Sequence, residues 1–476
     1  MEIQSFNALL KKSNLNMTGD EVVENLKKAL AITNSTATAG APGPLNLENL
    51  DGVMTKVLST MKHLKMFNYF TKIPSIQPLF QWIRQNSFGE TRGSLGFNEG
   101  GAPAWGSSSY TRGNGQVRYL GVKGGYTHQV AAVGQQGGMF VDPITSENEN
   151  RTLQLLTRVD RELVFGDENI LDGQGNTVHF NGLLNEMAAR YPQNVIDLQG
   201  KPLTFEHLDD SSENFITDGK LPSVDNYTCF LSPHVEKGIN RQYQDANVVR
   251  HNKDTARGSE YQPGFRVPSY ASQFGDITFD RSILFEEVGG SKPQAAAGAS
   301  APAAPATVGA TVANDATSNM VAGTYYYFVS AHNDADESLT TATTAQAVAL
   351  GQKVTLDVAR VSTATAYRVY RGTLADGSDA RWIARIAQPT AGNAAFVDKN
   401  QWRTLDANGK PESGLAILVE PDPTDIGIAQ LAPLVKLDQP LEGTTIPFLL
   451  LLYITLVVKA PERVRIYKNC GQYNAI

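Results

Sequence analysis

The chain is 476 residues long, with 41% apolar and 19% charged residues and a formal net charge of −7. That length fits about three domains and a sizeable core, and the acidic balance argues against a protein that tracks phosphates with clustered Lys and Arg, though not against one that merely encloses nucleic acid. Two widely separated cysteines, Cys229 and Cys470, make neither a disulfide framework nor a zinc pattern, and they read as buried thiols formed in a reducing cytoplasm.

The opening, M-E-I-Q-S-F-N, lacks the basic and apolar regions of a signal peptide. Residues 1–75 read as helical in pieces. Thr18-Gly-Asp-Glu21 is a capping-box pattern, followed by Val22, Leu26 and Leu30 at helical spacing. After an Ala-, Gly- and Pro-rich loop at 36–44, Leu47, Leu50, Met54, Val57, Met61 and Leu64 recur at alternating spacings of three and four. This narrow apolar stripe suits an arm packed on a neighbouring surface. It suits a short coiled coil less well, because it covers fewer than three heptads.

Residues 76–137 read as an extended hairpin. A strand is predicted at 78–84. Residues 88–115 are dense in Gly, Ser and Asn and include Trp105 and Tyr110, and 116–133 alternates again. Structureless stretches beyond about 12–15 residues are uncommon inside a compact domain and usually functional. The hairpin is therefore expected to project from its own subunit.

Pro143-Ile-Thr-Ser146-Glu-Asn-Glu149 is a second capping-box pattern. Leu153, Leu156, Val159 and Leu163 then share a helix face up to Phe165, and Gly166 stops the helix. Between 180 and 290 helical and strand signals alternate: helices at 183–190 and 205–215, a buried strand at 226–231, and a helix opening at Ser232-Pro233 with Val235 and Ile239 on one side. Residues 289–310 form an Ala/Gly/Pro/Ser linker. Beyond it, short β-rich runs at 325–332, 353–361, 366–372, 381–387 and 394–398 argue for an immunoglobulin- or fibronectin-like sandwich. No Cys…Trp…Cys spacing is present, which removes the disulfide-bearing antibody type. The earlier style resumes near Leu415.

The chain closes with an apolar run at 446–458, I-P-F-L-L-L-L-Y-I-T-L-V-V. It is too short for a membrane helix, which needs roughly 20 residues. Its β-branched and aromatic content predicts a strand buried on both faces, paired with strands earlier in the sequence.

A search for chemistry finds little. There is no Gly-x4-Gly-Lys-Ser/Thr loop and no Gly-x-Gly-x-x-Gly after a strand. None of the seven histidines stands in a metal-ligand spacing, and no Gly-x-Ser-x-Gly elbow occurs. Ser107-Ser108-Ser109 belongs to the hairpin tip. Asp334-x-Asp336 and Asp376-Gly-Ser-Asp379 are turn acids without EF-hand spacing. Asp209-Asp210 and Glu286-Glu287 read as solvated surface. No enzyme, metal or cofactor is expected.

The order of parts is more telling than any motif: helical arm, Gly-rich hairpin, capped long helix, mixed α/β layer, inserted sandwich, closing strand. This order resembles tailed-bacteriophage major capsid proteins of the Hong Kong 97 fold, in the contractile-tailed branch that carries a late immunoglobulin-like insert. Phe70-Thr-Lys-Ile-Pro-Ser75 is similar to the passage from arm to hairpin. Asp160-Arg-Glu-Leu-Val-Phe-Gly-Asp167 resembles the end of the spine helix, and Phe180-Asn-Gly-Leu-Leu184 the motif after it. Leu203-Thr-Phe-Glu-His-Leu208 resembles the start of an axial-domain helix, and Lys459-Ala-Pro-Glu-Arg-Val-Arg-Ile466 the last strand–turn–strand.

The resemblance implies an α+β capsid fold. Its parts would be an arm at 1–75, an extended hairpin at 76–137, a peripheral domain with the spine helix at 138–202 and an axial domain at 203–290. A linker and immunoglobulin-like insertion at 291–414 would follow, then a return to both domains at 415–476. The closing strand would be central in the axial domain and exit through Lys459-Ala-Pro461 to the peripheral one. The implied function is self-assembly into hexamers and pentamers of an icosahedral head that encloses double-stranded DNA without specific binding, with no membrane. Portal, scaffold and decoration proteins would be partners. Arg84, Arg92, Arg112 and Arg118, with Lys123, would reach a neighbour from the hairpin, and the arm stripe from Leu47 to Leu64 would clamp another. Some relatives cross-link Lys to Asn, but nothing identifies an Asn partner or catalytic Glu for Lys123. Two rival readings are an encapsulin-like compartment and a surface adhesin with a glycan-binding sandwich, for which Tyr325–Tyr327 would be the aromatic platform, although in an alternating strand they read first as core residues.

Overall fold

A computed structural model describes residues 63–89, 96–102, 105–135, 143–171, 176–219, 224–245, 266–286, 291–333, 336–404, 412–420, 422 and 424–473. The arm positions Leu47, Leu50, Met54, Val57 and Met61, the capping box at Thr18, and Arg92 lie outside them.

A one-turn helix, Met66–Tyr69, leads into strand β1 (Lys72–Pro74). Strands β2 (Leu79–Ser87) and β3 (Ser109–Gln116) form the two-stranded hairpin, with Trp82 opposite Gly113 and Arg84 opposite Thr111. Strand β4 (Arg118–Thr127) leaves this ribbon and joins another sheet. The predicted alternation over 116–133 therefore divides: its first part is strand, and His128–Gln135 is helix.

The long helix runs over Pro143–Phe165. It starts at Pro143, so Ser146 stands inside its first turn and does not cap it. Proline suits that start, since its missing N–H has no partner there. At the other end, Gly166 and Gly182 bring two backbones together, with Gly182 N–H donating to Gly166 O at 2.9 Å. A Cβ on either glycine would overlap backbone atoms of the other segment. This close approach gives the Phe180-Asn-Gly-Leu-Leu184 motif its physical basis.

Helix Leu183–Arg190 and strand β5 (Val195–Asp197) follow. Helix Phe205–Thr217 is capped by Thr204, whose hydroxyl accepts from His207 N–H while His207 reaches back to the Thr204 N–H. Strand β6 (Val224–Leu231), helix Pro233–Asp245, and strands β7 (Ser269–Ser272) and β8 (Gly275–Arg281) complete this layer.

The insert has its own core. Strands β9 (Val308–Asn314), β10 (Gly323–His332), β11 (Thr341–Ala342), β12 (Gln346–Val348), β13 (Gln352–Val358), β14 (Ala366–Gly372), β15 (Arg381–Ala387) and β16 (Ala394–Asp398) form two sheets. One has the order β11-β10-β14-β15 with β12 also on β10, and the other is β16-β13-β9. Val354, Leu356 and Val358 of one sheet pack with Tyr327, Val329 and Val369 of the other. Beneath them Arg371 is buried against Asp398 at 2.8 Å, and Tyr327 donates to the same carboxylate at 2.8 Å.

Four strands close the fold: β17 (Gly414–Val419), β18 (Ile426–Asp438), β19 (Thr445–Val458) and β20 (Arg465–Cys470). They split between two sheets. Strands β17 and β20 enter a six-stranded sheet, β5-β20-β17-β6-β8-β7, and β18 and β19 enter a four-stranded one, β1-β18-β19-β4. The period-2 rule divides the six-stranded sheet's side chains. Tyr227, Cys229, Leu231, Ala416 and Leu418 face the helices Phe205–Thr217 and Pro233–Asp245. Phe230, Leu415, Ile417 and Val419 face the main core with the long helix.

The closing strand departs from expectation in two ways. It pairs with β4 and β18 beside the long helix, not within the α/β layer, because Leu450 opposes Val122 and Leu456 opposes Ile428. It is also continuously buried on both faces only from Ile454 onward, with burial alternating between Phe448 and Tyr453. Phe448, Leu450, Leu452 and Ile454 pack on Leu155, Leu156 and Val159, while Leu449, Leu451 and Tyr453 stay half-exposed on the uncovered side. Irregular pairing of β18 around Ala432 coincides with Pro433, which has no N–H for the ladder. No described helix is long and apolar enough to cross a membrane.

Candidate functional site

The hairpin is the strongest candidate because its two faces differ. Alternate residues of β2 point to opposite sides. Phe80, Trp82 and Arg84 face the chain's own body: Arg84 pairs with Glu462, and the Arg190 guanidinium lies 5.4 Å from the Trp82 ring centre. Gly113 is required opposite Trp82, since a Cβ there would overlap the indole. At the hairpin's base, a Cβ on Gly115 would touch Thr455 of the closing strand at 3.6 Å.

The other face carries Leu79, Ile83 and, across the pair, Arg112 and Tyr110. Ile83 is 70% exposed and Tyr110 61%. Toward the tip Phe88, Phe97 and Trp105 are also exposed. A row of large apolar side chains on one face of a two-stranded ribbon is unusual for a lone soluble chain and marks a contact surface. The uncovered side of the four-stranded sheet continues the theme, with Tyr119 against Tyr453 at 5.0 Å and Leu437 opposite Leu449.

The basic residues expected to reach a neighbour therefore occupy different situations. Arg84 is engaged by its own chain. Arg112 stands on the free face. Arg118 donates to Thr177 O at 3.1 Å. Lys123, opposite Leu449 on the uncovered sheet face, pairs with Glu442 at 2.9 Å while both remain exposed. Leu64, the last residue of the arm stripe, is buried in the main core of its own chain. Glu462, Trp82 and Ile83 escaped sequence reasoning. The alternation in Leu79-Phe-Gln-Trp-Ile-Arg84 hinted at two unlike faces, but Glu462 lies far along the chain and left no local signal.

Two carboxylates of the long helix fix what surrounds it. Asp160 is buried and accepts Phe67 N–H at 2.7 Å, tying the residues ahead of β1 to the helix. Burial pushes its carboxyl up to about 6, against the lowering pull of the N–H groups it accepts. Glu162 is only partly covered; its burial raises the carboxyl, but His179 at 3.2 Å and Arg385 at 3.4 Å outweigh that and leave it below its ordinary value. Arg385 belongs to β15, so Glu162 joins the insert to the long helix, alongside a Phe165–Trp382 edge contact at 6.4 Å. Between insert and body lies a cleft of about 1100 Å³. In its wall, burial and then the neighbouring Arg385 and Arg368 lower His332 to about 3.

Tyr325–Tyr327 do not form a platform: Tyr327 is fully buried, and Tyr325 lies under Arg371 with its hydroxyl on Val321 O at 2.9 Å. Among the described residues, no three His, Cys, Asp or Glu side chains converge on a metal-sized space. Burial raises both cysteine thiols, Cys229 and Cys470, so neither is an activated nucleophile.

No protein-family model matches the sequence, and no curated protein matches it. Solved structures are similar in outline. The capsid of cyanophage P-SCSP1u covers 93% of this chain and 98% of its own at 10% identity and a TM-score of 0.45. The capsid of myovirus phage XM1 covers 91% and 100% at 9% identity and a TM-score of 0.43. An encapsulin from Synechococcus elongatus PCC 7942 covers 89% and 95% at 11% identity and a TM-score of 0.37. Likenesses of this size assign neither a family nor a function.

Proposed function

We propose that this chain is a shell-forming subunit, and specifically a phage major capsid protein of the Hong Kong 97 type. It would assemble into hexamers and pentamers around double-stranded DNA, form its head in the host cytoplasm and carry an immunoglobulin-like insert on the outer surface. The observation that carries this reading is the two-faced hairpin: one side seated on its own body through Arg84 and Trp82, the other presenting Leu79, Ile83 and Tyr110. Burying those three side chains against a neighbour supplies an apolar contact repeated by every subunit. Arg112 and exposed pairs such as Lys123–Glu442 would add rim contacts worth about 0–1 kcal/mol each. The arm stripe from Leu47 to Met61 and Arg92 would extend the same contacts, and the net charge of −7 suits a wall that DNA slides past. Portal, scaffold and decoration proteins would complete the head. An encapsulin-like compartment would share this architecture and differ in its contents, cargo protein in place of DNA.

The test is assembly. Purified chain, alone or with a scaffold, is expected to give rings or shells in electron micrographs and on sizing. Monomers under all assembly conditions would refute the reading.

A further inference from the structure

The helices Phe205–Thr217 and Pro233–Asp245 cover the same face of the six-stranded sheet, yet their solvent sides carry opposite charge. On the first, Glu206, Asp210 and Glu213 are exposed at spacings of four and three, so they form one stripe about 10 Å long. Asp209, the remaining acid, is engaged by Tyr270 at 2.8 Å. On the second helix, Lys237 and Arg241 are exposed four residues apart, at the rim of a shallow depression of about 430 Å³. Its floor is organised by Glu236, which is 9% exposed and holds Arg266 at 3.1 Å and Arg281 at 2.6 Å. Arg281 reaches both Glu236 oxygens and Arg266 donates to one of them, and both arginines remain about half-exposed. Four cations thus line the depression, of which Arg266 and Arg281 pair with Glu236, in a chain that is acidic as a whole.

Among the described residues, Glu206, Asp210 and Glu213 have no cationic partner, and Lys237 and Arg241 have no anionic one. Like charges four apart on a helix repel, so each stripe is unfavourable until an opposite charge reaches it. We propose that the basic depression at Lys237, Arg241, Arg266 and Arg281 docks the Glu206–Asp210–Glu213 stripe of a second copy of this chain. Two different surfaces on each subunit make a heterologous, head-to-tail contact, which closes into a ring when the rotation permits. This rests on the shell reading and specifies one of its interfaces. Charge complementarity of this kind sets partner and register more than total affinity.

The full-length chain tests it, with the concentration threshold for rings or shells read by sizing and electron microscopy and the fold checked by thermal melting. Reversing the exposed basic pair, Lys237→Glu with Arg241→Glu, is expected to raise the threshold roughly tenfold. Reversing the acidic stripe, Glu206→Lys with Asp210→Lys and Glu213→Lys, should do the same. All five changes on one chain should return the threshold to within about threefold of the original. Single-stripe variants that assemble normally, or a combined variant as impaired as either parent, would overturn the docking and leave the shell reading standing. If the original chain forms no ring or shell, the shell reading fails and takes the docking with it. If the Lys237/Arg241 reversal only weakens binding of a short DNA duplex, the occupant is nucleic acid and the second-copy proposal is wrong.

Discussion

The closing strand and the hairpin are both β-structure rich in large apolar side chains, and they use them in opposite ways. In Thr445–Val458, Phe448, Leu450, Leu452 and Ile454 are buried by the chain's own long helix. In Leu79–Ser87, the residues on one face reach the body while Leu79 and Ile83 stay exposed on the other. The first region stabilises the subunit. The second is paired in its backbone but unfinished in its side chains, as expected of a surface that another copy completes.

The same substitution placed in each region sharpens the contrast most. Ile454→Asp puts a charge in the main core and should cost more than about 4 kcal/mol, read as loss of the cooperative melting transition. Ile83→Asp should change stability by no more than about 0.5 kcal/mol and yet prevent assembly. A comparable loss of stability at Ile83 would break the comparison.

A pH titration probes the buried side next. Because the folded-state carboxyl of Asp160 is raised to about 6, the protonated form is favoured in the fold. Its contribution is fully present below the unfolded value near 3.8 and is lost as pH rises through about 6. Asp160→Asn should flatten that dependence in denaturant titrations between pH 4 and 7, an effect on the order of 2–3 kcal/mol. Gly182→Ala forces apart two touching backbones and should cost about 1–3 kcal/mol in thermal melting. Arg84→Ala should have the smallest effect on global stability, under about 1 kcal/mol because the pair is partly solvated. It should nonetheless speed hydrogen exchange in the hairpin while leaving Thr445–Val458 protected.

Much of the local structure was legible. The strands Ala366–Gly372, Arg381–Ala387 and Ala394–Asp398 and the helix Leu183–Arg190 fall where patterning places them, because turns and periodicity are local signals. The closing strand was legible as a strand but not in its position. Its pairing with Arg118–Thr127 is set by side-chain fit across most of the chain's length, which no window of sequence displays. Helix His128–Gln135 was missed because its start signal, Thr127, whose hydroxyl accepts Val130 N–H at 3.4 Å, is also the last residue of strand β4 and carries no Glu or Gln three residues on. The expectation of a hairpin free of its own subunit holds for one face only. Arg84 reads in sequence as a cation that reaches a neighbour, and its actual partner, Glu462 in the Pro461–Arg463 turn, lies 378 residues further along the same chain.

Side-chain footprinting of the hairpin in dispersed and assembled chain tests the central claim most directly. Hydroxyl-radical labelling of Leu79, Ile83 and Tyr110 should be strong in the dispersed subunit and fall several-fold in rings or shells, while Phe448 and Leu452 stay unlabelled in both. Particles that form with Ile83 and Tyr110 labelled as strongly as in the free subunit would contradict it.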